Sequence, residues 1–120
     1  MKPSKNITWV KLADSIEQIP FNENGLAEIE VKGKKICLAN HHNNLMACTS
    51  KCPHAGGALS QGYLDALGNI VCPIHRYKFN MLTGRNVSGE GYYLKIFSIE
   101  IREDAVFIGL EENKMFNWLK

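Results

Sequence analysis

A chain of 120 residues, 45% hydrophobic and 22% charged, has room for one domain with a modest core. Its net charge of +2 is too small to argue for nucleic-acid or membrane binding on bulk charge. No stretch approaches the ~20 apolar residues of a membrane helix, and Met1–Asn6 has no apolar run behind it, so neither a span nor a secretory signal is expected.

Taken in order, residues 7–12 carry β-formers with partial alternation and read as a first strand. Residues 13–18 suggest a short helical turn that Pro20 stops. Leu26–Val31 alternates cleanly, and Gly33 turns it into Lys35–Ala39, which predicts a hairpin. Asn40–Asn44 is a turn cluster leading to a strand at Leu45–Thr49. A turn centred on His42 would set Cys37 opposite Ala47 and Cys48 opposite Ile36, placing the two thiols on opposite faces as buried apolar side chains. His41 and His42 read as solvated turn residues.

Extended pieces are expected at Gln61–Leu64, Asn69–Val71 and Tyr77–Asn80, with a turn at Thr83–Arg85. Tyr92–Ile101 and Ala105–Leu110 read as a long hairpin with its turn at 102–104, and Met115–Leu119 as a tail packed on the body. Short strands, frequent turns and no long helix predict an all-β sandwich or barrel.

The chemistry lies in two arms, Cys52-Pro53-His54 and Cys72-Pro73-Ile74-His75, separated by the 17 residues 55–71. Two thiols and two imidazoles suit iron–sulfur clusters, zinc or copper far better than calcium or magnesium. A structural zinc site usually draws a Cys pair from one knuckle, whereas each arm here brings one Cys and one His. If the arms face each other with rough two-fold symmetry, one iron takes both sulfurs and the other both imidazoles.

The segments CPHAGGAL and CPIHRYKFNMLTGR resemble the Rieske [2Fe–2S] family over roughly residues 45–110. The resemblance implies one Rieske-type [2Fe–2S] cluster, with Cys52 and Cys72 on the inner iron and His54 and His75 on the outer one. It also implies an antiparallel β-sandwich or barrel over 1–120, as a single domain with a small two-loop cluster-binding subdomain at about 50–80. Gly56 and Gly57 would then let the first loop approach the cluster closely.

Departures from the family narrow the subtype. Membrane-anchored Rieske proteins join a further Cys in each arm as a disulfide; those positions here are Gly57 and Ile74. Their sulfur-bonding Ser and Tyr hydroxyls fall at Tyr77 and Phe79, so a potential toward the low end of the roughly −150 to +300 mV family range is expected. Arg76 stands where the family usually has Gly, and Ser88–Tyr92 lacks the usual Gly-Pro, which suggests a more open flap.

The resemblance implies a one-electron carrier of the cytoplasm, taking electrons from a flavoprotein reductase to an oxygenase. Four cysteines without a secretory signal fit that compartment. It is expected not to be a catalyst by itself, since only 45 residues follow His75 and none is His, which leaves no room there for an oxygenase's mononuclear iron site. Alternatives are a small Rieske subunit working with a nitrite reductase large subunit, or a metal-stabilised binding module. Lys51, Arg76, Lys78 and Arg85, opposed by Asp65, suggest a basic collar for an acidic redox partner.

Overall fold

The computed structural model describes residues 6–53, 56–74, 76–89 and 91–112. Nine strands lie among them: β1 Asn6–Ala13, β2 Leu26–Val31, β3 Lys34–His41, β4 Asn44–Thr49, β5 Tyr63–Leu64, β6 Ile70–Val71, β7 Lys78–Phe79, β8 Ile96–Arg102 and β9 Ala105–Glu112. Helical structure among these residues is limited to two single 3₁₀ turns, Ile16–Gln18 and Leu59–Gln61. The first is the turn expected before Pro20.

β1, β9, β8, β4, β3 and β2 form one antiparallel sheet in that order, and β5, β6 and β7 a second, smaller one. Three hairpins of the large sheet close through two-residue turns, Lys32-Gly33, His42-Asn43 and Glu103-Asp104. Both positions of each have positive φ, from 48° to 80°. Such turns match the right-handed twist of the strands they join.

The middle turn corrects the expected register. With a two-residue loop at His42-Asn43, Cys37 pairs directly with Cys48 and Leu38 with Ala47. Because side chains alternate with period two, one extra loop residue reverses which face each partner shares. Cys37 and Cys48 therefore lie on the same face, fully buried and as free thiols.

The last hairpin needs a second correction. The strand expected over Tyr92–Ile101 begins only at Ile96. Tyr93 and Leu94 are drawn toward the loop before them, with the Leu94 N–H donating to Gly84 O at 2.7 Å and Tyr93 bridging to Arg85. Burial of Leu94 in the core beside Phe79 outweighs continuation of the ladder. Gln61 likewise closes the second 3₁₀ turn instead of opening an extended piece, and Gly62 follows it. A Cβ on Gly62 would sit 1.9 Å from Val71 O, so only glycine lets these backbones approach.

Alternation along β3 and β4 feeds two cores. Ile36, Leu38 and Ala47 point into one with Phe97, Val106 and Ile108. Val10 and Leu12 from one sheet edge and Ile29 and Val31 from the other join the same cluster, so the sheet curls around it. Cys37, Ala39 and Cys48 point the other way, onto Leu59, Ile70 and Phe79 of the smaller sheet and its approach. Fully burying a side chain such as Phe79 contributes about 1.5–3 kcal/mol. The result is the expected antiparallel body with a small two-loop subdomain on one side. The tail expected at Met115–Leu119 lies outside the described residues.

Candidate metal centre

Both arms start where ladder pairing ends. The first is anchored on three sides: Thr49 N–H donates to Lys95 O at 3.1 Å, Ser50 N–H to Lys35 O at 3.1 Å, and Leu59 N–H to Ser50 O at 2.8 Å. Within it, Cys52 N–H donates to Gly57 O at 2.9 Å, and Gly56 N–H returns to Cys52 O at the same distance. The second arm leaves β6 and returns through β7, closed by Cys72 N–H donating to Tyr77 O at 2.8 Å. In each arm, then, a cysteine N–H is bonded to the carbonyl five residues on. This is the rough symmetry that two arms of one thiol and one imidazole call for.

The arms touch each other. A Cβ on Gly57 would lie 2.8 Å from Ile74 Cδ1 and 3.4 Å from Cys72 Sγ, so the first arm passes over the second arm's thiol. Positions 57 and 74, where the anchored subgroup has its disulfide, thus face one another. Here the Ile74 side chain occupies that space.

Cys52 and Cys72 are 2% and 0% exposed, and their thiols lie within hydrogen-bonding reach of each other. Burial pushes the Cys72 thiol above its ordinary pKa; the Ile74 N–H, donated to its sulfur, pulls down, and the neighbouring Cys52 raises it again. A bound cation reverses that balance, because it takes the thiolate. Two adjacent thiols, an N–H aimed at sulfur and a glycine where a side chain would intrude fit a sulfur-bound iron centre.

His54 and His75, the other two expected ligands, lie outside the described residues. Among the described residues no His, Cys, Asp or Glu completes a set of three with this pair. His42 is exposed, as expected of a turn residue, while His41 is half-buried with its ring against Gly68.

Around the arms, Phe79 is fully buried and brings no hydroxyl, and Tyr77 packs half-buried on the same core. Arg76 adopts φ 56°, the left-handed conformation that favours the glycine usual in the family. The expected collar is divided. Lys78 Nζ is 3.8 Å from Asp65 Oδ2, whereas Lys51 lines a separate cavity with Lys34, Lys35 and Lys95. Those last three had no signal in the sequence, because they converge from different strand ends. Burial pushes the Asp65 carboxyl up, but Asn69, the Leu67 N–H and Lys78 together hold it below the ordinary value.

Paired thiol loops on an antiparallel β body fit an iron–sulfur protein. The Rieske [2Fe–2S] domain family model matches residues 8–93, and the chain belongs to that family, whose cofactor is one [2Fe–2S] cluster. The chain is 26% identical over 101 residues to the ferredoxin component of the naphthalene 1,2-dioxygenase system from Pseudomonas aeruginosa, covering 83% of this chain and 96% of that one. In a complex of reduced oxygenase and oxidized ferredoxin in carbazole 1,9a-dioxygenase, a chain superposes with TM-score 0.73 at 25% identity, covering 88% of this chain and 95% of that one. A protein described as an NADH-dependent nitrite reductase small subunit from Mycobacterium tuberculosis gives TM-score 0.76 at 13% identity, covering 90% and 99%; this likeness is one of fold alone. No helix among the described residues is long and apolar enough to cross a membrane.

Proposed function

We propose that the chain, as a single domain over 1–120, is a one-electron carrier whose cluster is held by Cys52 and Cys72 on one iron and His54 and His75 on the other. The observation that carries this reading is the meeting of the two arms, with Gly57 seated against Cys72 Sγ and the two thiols adjacent. The cluster supplies a site that gains and loses one electron. The chain's own residues would shield it, with Gly57 and Ile74 packed together beside Cys72 Sγ and both thiols set on the core of Leu59, Ile70 and Phe79.

Near-complete coverage of a dioxygenase-system ferredoxin favours service between a flavoprotein reductase and an oxygenase. Four free cysteines suit a reducing cytoplasm. The test is visible absorption and low-temperature EPR of anaerobically purified protein before and after dithionite. The expected result is a coloured protein whose reduced EPR signal has the low average g-value of a His₂Cys₂ cluster, with a midpoint below about +100 mV. A colourless, EPR-silent protein after reconstitution would overturn the reading.

A further inference from the structure

Three strand ends meet beside the first arm. Lys34 and Lys35 open β3, Lys51 follows β4, and Lys95 precedes β8. The backbone bonds from Ser50 to Lys35 and from Thr49 to Lys95 pin those ends together. The four lysines surround a cavity of about 610 Å³ whose apolar lining includes Phe97 and half-buried Ala58. Lys95 Nζ lies 5.8 Å from the Phe97 ring centroid.

One carboxylate, Glu28, reaches the cavity, and it accepts a hydrogen bond from Ser50 Oγ. Among the described residues, no ion pair engages any of the four lysines. Gathering like charges around an apolar floor opposes folding, and an anionic occupant relieves that repulsion. Gly56 lines the same cavity, so an occupant lies against the loop that carries Cys52.

We propose that this groove docks an acidic segment of the redox partner, its carboxylates on Lys34, Lys35, Lys51 and Lys95 and one apolar side chain on Ala58 and Phe97. The inference rests on the electron-carrier reading, since that is what calls for a partner at this arm. The apolar floor argues for a peptide segment. A nucleic-acid backbone would leave that floor uncovered. The Arg76–Lys78–Arg85 side is the weaker candidate, because Asp65 already compensates Lys78.

The test uses the cluster-loaded full chain and a fluorescein-labelled acidic hexapeptide with a central leucine, followed by anisotropy. Saturable binding is expected, weakened at least ~10-fold in K34E/K95E and less than ~2-fold in K78E/R85E, and weakened strongly by salt. Replacing the peptide's leucine by serine should weaken it several-fold. Absence of saturable binding, equal sensitivity to both double variants, or tighter groove binding of a labelled single-stranded oligonucleotide would each overturn the proposal. EPR of the same sample reports the cluster separately, so a failed groove and a failed electron-carrier reading are distinguishable.

Discussion

Cys37 and Cys48 in the strands and Cys52 and Cys72 in the arms are two buried, adjacent thiol pairs that line one core, yet their surroundings differ. In β3 and β4 the backbone N–H groups are committed to the ladder. The contact between Cys37 and Cys48, followed by burial, holds the Cys48 thiol well above its ordinary pKa. In the arms the ladder has ended, and the Ile74 N–H is left to point at Cys72 sulfur. Adjacency of two thiols therefore does not make a metal site. Under the proposed ligand assignment, backbone freed from pairing beside a loop that carries a histidine is what distinguishes the second pair.

The largest expected effect separates the pairs outright. Cys52→Ser or Cys72→Ser should abolish visible absorbance and the EPR signal, while Cys37→Ser should retain both. Equal loss in all three would erase the distinction. Next, Gly57→Val should push into Ile74 and Cys72 Sγ, lowering iron content and costing about 1–3 kcal/mol by overpacking. Ile74→Ala in the same chain should restore much of both. An unchanged denaturant midpoint and iron content in the single variant would mean that the arms do not pack as described.

Within the strand pair, Cys48→Ser buries a hydroxyl in an apolar site and should cost about 1–3 kcal/mol in urea unfolding, with iron content per folded protein unchanged. The smallest effect concerns the loop supporting the second arm. The Asp65 carboxyl has a lowered pKa in the folded state. Its contribution is therefore full above the unfolded value and disappears as pH falls through the folded one. Asp65→Asn should cost about 1 kcal/mol at pH 7 and flatten the fall in stability between roughly pH 5 and 3. Parallel acid-unfolding curves for the two proteins would remove Asp65 from that role.

The arms were legible because cysteines, histidines, prolines and glycines are spaced along a short, local piece of chain. The strands were legible where alternation was clean, as in Leu26–Val31. The meeting of Cys37 with Cys48 was not, since it depended on whether the turn at residues 40–44 holds one residue or two. Nor was the early end of the last hairpin, where a bond from Leu94 to Gly84 overrides a run of β-formers. The convergence of four lysines from three strand ends likewise has no linear signature.

The sequence by itself determined the pairing of one thiol and one imidazole in each arm, the all-β class and the alternation that feeds two cores, because these depend on residue type and on spacing along the chain. Tertiary structure decided which thiols meet, which lysine Asp65 compensates and where positive charge gathers. Those outcomes turn on strand register and on contacts between distant segments, and a single residue in a turn is enough to change them.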